Sequence, residues 1–335
     1  MRAVVQDTYG SPDLLRVAEV AEPVPAAGEV LVRVRAASVH PDVWHVVTGR
    51  PYVLRLMGSG VRRPRERVPG TDVAGVVEAV GAGVTRFRPG DAVFGETLRV
   101  NQWRNGGAYA ELVAAPEDGL AQMPSNVSFE EAASVPTSGL IALHHVPVEH
   151  AGPGASVLVN GAGGGVGTLA VQIAKAYGAT VTGADLPARL DLVRRAGADH
   201  VVDVSVTDVT RAAERYDLVV DVPGNHPYPA WRPVLRSDGR YVLVGHDHYG
   251  AAGHGLLGSL PRFAGLLARS VVDRHLPRAS VTLPPRQQSL ETLRALLASG
   301  ALTPLVDRTF ALDEVSEAIR CLASGANRGK VLVAP

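Results

Sequence analysis

Val157-Leu158-Val159-Asn160-Gly161-Ala162-Gly163-Gly164-Gly165-Val166-Gly167 joins an apolar, strand-like run, Val157 to Val159, to a glycine-dense turn, and Thr168 to Tyr177 then reads as a helix. In that context the turn is a dinucleotide fingerprint. Its glycines let the backbone approach a pyrophosphate, and the helix N-terminus faces the phosphates with its positive end. On this reading Gly164, Gly165, Val166 and Gly167 bind the cofactor, and Gly167 also lets the helix pack close to the strand. The first glycine position of the fingerprint is taken by Ala162, with Gly161 just before it. A ligand-free glycine turn is the alternative, and the flanking strand and helix weigh against it.

Outward from this turn the chain alternates buried-strand runs with helical stretches. The runs are Ser156 to Asn160, Thr180 to Ala184, His200 to Val204, Asp217 to Val222 and Arg240 to Gly245. The pattern predicts a doubly wound parallel sheet covered on both faces, an α/β fold. Asp185 ends the second strand, where an acidic group bonds adenosine ribose hydroxyls and repels a 2′-phosphate. That leans towards NAD(H). Arg189, four residues on, is placed to neutralise a 2′-phosphate and keeps NADP(H) open. Val222, Asn225, Val244 and Gly245 sit at carboxyl ends of predicted parallel strands and are cofactor contacts by position.

Before residue 122 the pattern is different. Ala3 to Gln6, Glu29 to Ala36, Val73 to Val80, Asp91 to Gly95 and Ala108 to Ala114 are short β-type runs between Gly/Pro turns, which reads as a compact β-barrel. Ser128 with Glu131 forms a capping box predicting a helix towards His145, so the boundary falls near 120 to 127. Leu302 to Pro335 holds a helix near Leu312 and a last strand, Lys330 to Val333. Periodicity alone allows this tail to join either sheet.

Composition excludes several classes. With 335 residues and 46% hydrophobic side chains, two cores are expected. Lys plus Arg and Asp plus Glu are 33 each, leaving no field to hold nucleic acid or an anionic bilayer. Only Lys175 and Lys330 are lysines. The single cysteine, Cys321, excludes an intrachain disulfide and any multi-cysteine metal site. No leader pattern and no apolar run of membrane length occurs, so a cytoplasmic protein without a membrane partner is expected.

Gly70-Thr71-Asp72-Val73-Ala74-Gly75-Val76-Val77-Glu78-Ala79-Val80-Gly81, Pro89-Gly90-Asp91-Ala92-Val93-Phe94 and Arg328-Gly329-Lys330 carry a resemblance more specific than the glycine turn does. By these motifs the chain resembles the medium-chain dehydrogenase/reductase superfamily, and within it the zinc-free quinone oxidoreductases, over essentially its whole length. Gly49 to Arg55 and Pro304 to Arg308 resemble the bacterial relatives of reticulon-interacting mitochondrial quinone reductases. The resemblance implies a GroES-like substrate domain over 1–122, completed by 301–335, a Rossmann domain over 123–300, an active site between them, and a homodimer. It places the zinc-ligand positions of related alcohol dehydrogenases at His40, Thr71 and Ser134. Thr and Ser are poor zinc ligands and one His cannot supply three, so no metal is expected. Without a Lewis acid, hydride delivery to a quinone or an activated C=C is the easier chemistry.

His40-Pro41-Asp42 falls where the quinone reductases carry Asn-Pro-x-Asp. Here His40 is the candidate proton donor or carbonyl-binding residue, Asp42 its orienting partner, and Tyr52 a second donor. Trp44 is the candidate substrate-binding residue. Thr137, in Val135-Pro136-Thr137-Ser138-Gly139, matches the helix whose polar residue contacts the nicotinamide end of the cofactor. The bland readings are a packed His, a packed Tyr and an ordinary helical back-bond. His246, His248 and His254 lack companions for a metal site. Arg62, Arg63, Arg65 and Arg67 form a basic loop, solvated or recognising an acidic or phosphorylated substrate. Leu256 to Leu276 reads as an apolar helical hairpin interrupted at Pro261, a lid or subunit contact. The expected activity is NAD(P)H-dependent reduction of a small-molecule quinone or enone. A zinc-independent alcohol/ketone oxidoreductase and a dinucleotide-binding regulatory protein are the rivals.

Overall fold

The computed structural model describes residues 1–99, 104–245, 255–278 and 284–335. In chain order its strands are β1 (Arg2–Val5), β2 (Arg16–Glu19), β3 (Glu29–Val39), β4 (Asp72–Val80), β5 (Ala92–Glu96), β6 (Leu112–Pro116), β7 (Leu120–Gln122), β8 (Ser156–Asn160), β9 (Thr180–Asp185), β10 (His200–Asp203), β11 (Tyr216–Asp221), β12 (Leu235–Leu243), β13 (Val306–Ala311) and β14 (Lys330–Ala334). β8 to β12 make a five-stranded sheet in the order β10-β9-β8-β11-β12 with every pair parallel. This is the doubly wound arrangement, and the order reverses between β8 and β11, the crevice where such sheets bind ligands.

The other large sheet runs β13-β14-β3-β4-β5-β7, with β6 also on β3. β3 carries it because its burial pattern alternates: Val30, Val32 and Val34 face the core while Arg33 and Arg35 project outward. β14 pairs antiparallel with β3, and β13 lies parallel to β14, so the C-terminal segment joins this sheet. Val331, Val333, Leu312 and Ile319 share its core with Val32, Val73 and Phe87. Each fully buried Val or Leu contributes about 1.5–3 kcal/mol relative to exposure, so the first sheet depends on residues almost three hundred positions away.

Local chemistry shifts three of the expected boundaries. The helix begun by the Ser128–Glu131 capping box ends at Ala133, and Pro136 opens a second one, Pro136–His145, because proline fits a first turn but not an interior. Pro261 likewise opens the helix Leu260–Arg269 rather than interrupting a hairpin. The strand expected over Ala108 to Ala114 is β6, Leu112–Pro116, with Ala110 making only an isolated bridge to Ala3.

The two sheets are joined by one continuous apolar core. Ala36, Ala74, Phe94 and Ala121 of the first pack with Val135, Leu140 and Leu293 of the second. The helix Pro136–His145 is the joint. Gly139 brings it against the helix Arg286–Ala298, where an added Cβ would stand 3.0 Å from Leu293 Cδ1.

Candidate active site

The glycine turn leaves β8 at Asn160, and Gly164 caps the helix Gly165–Ala176. Gly161 has φ +78°, in the left-handed region, and a Cβ on Gly167 would lie 2.1 Å from Gly161 O. Gly167 is therefore required by packing between helix and strand. Asp185, buried at the end of β9, accepts from Gly163 N through Oδ2 and from Leu186 N through Oδ1, each at 2.7 Å. Its carboxylate shapes the glycine turn itself. Arg189 donates to Gly325 O at 2.9 Å, bringing the guanidinium to the end of the helix Val315–Ser324.

At the other side of the switch point, Asn160 Nδ2 donates to Asp221 Oδ1 at 2.8 Å and to Asn225 Oδ1 at 2.9 Å. Tyr241 O–H donates to Asp221 Oδ2 at 2.9 Å. Burial pushes the Asp221 carboxyl up, and burial, followed by the charge of Asp221, raises Tyr241. Val222, Val244 and Gly245 line the neighbouring strand ends, Gly245 N bonding Val222 O at 3.0 Å. A Cβ on Gly245 would lie 2.4 Å from that same oxygen.

His40 follows β3 and caps the helix Pro41–Thr48. Its Nδ1 accepts from Asp42 N at 3.3 Å, with Asp42 Oδ2 at 3.4 Å. An Nδ1 that accepts leaves the ring proton on Nε2, and Nε2 is buried with no hydrogen-bond partner among the described residues. Trp44 is half-buried against the first core, its ring edge-on to His45 at 5.2 Å. Tyr52 stands apart from this group. It is 43% exposed and has Arg55 stacked 4.7 Å from its ring centroid, so the structure does not gather it with His40.

Thr137 has partners that sequence reasoning did not foresee. Its hydroxyl, expected to face the cofactor, lies between two buried carboxyls, Asp72 Oδ1 and Glu96 Oε1, the latter at 2.7 Å. One hydroxyl proton cannot serve both acceptors. Glu96 is pushed up to about 7, chiefly by burial and then by Asp72 beside it. Below that pH a protonated Glu96 can supply the second proton to this pair of contacts, leaving the Thr137 hydroxyl free to donate to Asp72. Ser38 Oγ donates to Asp72 Oδ2 at 2.7 Å and completes the chain.

Lys330 was also missed as a site residue. At 6% exposure its Nζ donates to Ser138 Oγ at 2.9 Å, and burial pushes the ammonium down while Asp72 and Asp42 oppose this. Its Cδ lies 3.0 Å from where a Cβ on Gly165 would stand. A cation thus sits against the first turn of the glycine-loop helix. A charged residue heading the apolar run Val331 to Val333 was the one sequence signal for it.

The helix N-terminus at the glycine turn and the switch point between β8 and β11 fit a dinucleotide. Such a pairing of a parallel sheet with a barrel is the architecture of dinucleotide-dependent oxidoreductases. Comparison with known proteins agrees. Residues 26–125 match the alcohol dehydrogenase GroES-like domain, and residues 196–333 match the zinc-binding dehydrogenase family. A NAD-dependent alcohol dehydrogenase of Saccharolobus solfataricus is 31% identical, with all of both chains covered. A chloroplast envelope quinone oxidoreductase homolog of Arabidopsis thaliana is 28% identical over 100% of this chain and 98% of that protein. A crystal structure of a NAD-dependent alcohol dehydrogenase superposes over the whole of both chains with a TM-score of 0.81 at 30% identity. The chain belongs to the medium-chain dehydrogenase/reductase superfamily of nicotinamide-dependent oxidoreductases.

That superfamily includes zinc enzymes, so the donor set bears testing. Thr71 Oγ1 lies 3.5 Å from Asp72 Oδ1, and Ser134 Oγ donates to Glu131 O at 2.7 Å, turned back into its own helix. Among the described residues no three His, Cys, Asp or Glu side chains converge as metal ligands. His246, His248 and His254 lie outside the described residues. The residues at the mapped positions do not fit a catalytic zinc. No helix among the described residues is long and apolar enough to cross a membrane.

Proposed function

We propose that the chain is a zinc-independent NAD(P)H-dependent reductase of quinones or α,β-unsaturated carbonyls. The observation that carries this reading is the donor set His40, Thr71 and Ser134. Only its imidazole is a competent zinc ligand, so a developing alkoxide lacks a Lewis acid, whereas a conjugated acceptor delocalises its own charge. The similarity to the Arabidopsis quinone oxidoreductase homolog supports the same class of acceptor.

When bound, a reduced nicotinamide supplies the hydride. The chain does the rest. Gly164, Gly165 and Val166 present the helix N-terminus to the pyrophosphate, and Lys330 adds a cation at the first turn. Val222, Asn225, Val244 and Gly245 wall the crevice. His40 donates from Nε2 to the acceptor carbonyl oxygen, Asp42 holds its ring through Nδ1, and Trp44 and Tyr52 border the substrate. Thr137 orders the floor beneath the nicotinamide end. Asp185, at the end of β9, favours NAD(H), with Arg189 the counterweight. The protein acts in the cytosol as a homodimer, a state favoured by the apolar surface of Val271 and Val272, 80% and 88% exposed. Domains of 1–122 with 301–335, and of 123–300, complete the reading.

NADH and NADPH titrations followed by a panel of quinones, enones and saturated ketones test it. Cofactor oxidation with quinones or enones and not with saturated ketones is expected. Turnover of saturated ketones instead would favour the alcohol/ketone reading, which the 31% identity to an archaeal alcohol dehydrogenase supports. Binding without turnover on any acceptor would favour a regulatory role.

A further inference from the structure

The N-terminal domain holds a cavity of about 510 Å³ lined by Asp7, Val61, Arg62, Arg63, Arg65 and Arg67, among others. Arg67 is engaged by Asp7, which also pairs with Arg16, and Glu66 pairs with Arg104. Arg62, Arg63 and Arg65 make no ion pair among the described residues. Arg62, Arg63 and Arg65 therefore line one hollow whose single lining carboxylate, Asp7, is already paired with Arg16 and Arg67.

The loop that carries them is held in shape. Tyr9 O–H donates to Gly60 O at 2.6 Å, and Arg65 N donates to Ser59 O at 2.9 Å. Gly60 has φ +113°, and a Cβ there would stand 2.3 Å from Arg63 O, so the turn requires glycine.

Val61 forms the shared wall with a second hollow of about 390 Å³, bordered by Tyr52, Leu56, Leu256 and Leu257. Leu56, Val61 and Leu256 are 75%, 63% and 66% exposed, which is apolar surface left without a partner. Both domains build this second hollow, because Tyr52 N bonds Gly255 O and Val53 N bonds Leu256 O, each at 2.9 Å.

We propose that the two hollows form one elongated subsite for an amphiphilic acceptor. The apolar body lies against Leu56, Leu256 and Leu257, and a terminal carboxylate or phosphate is forked by Arg62, Arg63 and Arg65. This deepens the reductase reading, on which the identity of the reacting end rests, by naming the substrate class as anionic at its far end. A small neutral quinone has no use for these arginines. Both features are concave and one is walled by two domains, which suits a ligand and not a bilayer.

The test is calorimetric titration of the intact protein with decyl phosphate, decanoate and decanol, none of which is reducible at a conjugated bond. The anionic probes are expected to bind at least about ten-fold more tightly than decanol, and the tighter of the two names the head group. The triple variant R62A/R63A/R65A should lose that advantage while its affinity for NADH stays unchanged. Equal binding of decanol, or an undiminished preference in the variant, overturns the proposal. So does arginine-dependent sedimentation with phosphatidylglycerol vesicles in the absence of probe binding, which would make the patch a membrane contact. Since no turnover is needed, probe binding together with failed enone reduction would sink the reductase reading and leave the subsite standing.

Discussion

Lys330 donates to Ser138 across 2.9 Å, tying the first residue of β14 to the helix that joins the two sheets. An ammonium with one hydroxyl partner in a buried site is costly to keep, and neighbouring Asp72 and Asp42 offset only part of that cost. Replacement by a similarly shaped apolar side chain, Lys330→Met, is expected to leave urea stability equal or higher. Affinity for NADH or NADPH should nevertheless fall about ten-fold or more, measured by fluorescence titration. A loss of stability with cofactor affinity intact would assign Lys330 to the fold alone.

Thr137 places its hydroxyl between Asp72 and Glu96. Thr137→Val keeps the volume and removes the bridge, leaving two buried carboxyls without it, and should cost about 1–3 kcal/mol in urea unfolding. Thr137→Ser should recover most of that. An equal loss in both variants would point to the methyl group and contradict the bridge.

Glu96, raised from its ordinary 4.5 to about 7, sets a pH dependence with a definite sign. Its stabilisation is complete below pH 4.5, where folded and unfolded chains both carry the proton. Between 4.5 and about 7 only the folded chain keeps it, so stability falls as pH rises, by about 3 kcal/mol at most, and then levels. Glu96→Gln removes that slope. Unfolding of the two proteins at pH 5 and pH 8 should show the variant gaining on the parent at the higher pH; a constant difference would refute the shift.

Gly164 and Gly167 separate cofactor binding from folding. A Cβ at 167 meets backbone at 2.1 Å, whereas at 164 the nearest atom is Gly161 O at 3.4 Å. Gly167→Ala should lower the melting temperature by several degrees, because the helix must move off its strand. Gly164→Ala should leave melting nearly unchanged and weaken dinucleotide binding about ten-fold. Similar melting losses in both would remove the distinction.

What the sequence disclosed was whatever is coded locally. The glycine run carries strand, turn and helix within some twenty residues, and β3 declares its faces by alternation. The polar floor of the cleft was not legible in this way. Asp72, Glu96, Thr137 and Lys330 come from four separate elements, and only the packing of the sheets against the helix Pro136–His145 brings them together. Thr137 was placed correctly at the junction, yet its hydroxyl is directed to carboxyls that no spacing rule connects to it. β13 escaped notice because Val306–Ala311 has a mostly half-exposed pattern, and an edge strand needs only one neighbour.

β14 gives the chain an order of assembly. Residues 1–122 leave the ribosome first, but the sheet they begin lacks the neighbour that covers β3 until residue 330 and its successors have been made. The intervening parallel sheet can collapse on its own glycine turn and helices well before then. During synthesis the later-encoded layer can thus become compact while the earlier-encoded one waits with a strand edge open, an interval in which a nascent chain is vulnerable to wrong pairing and suited to chaperone custody.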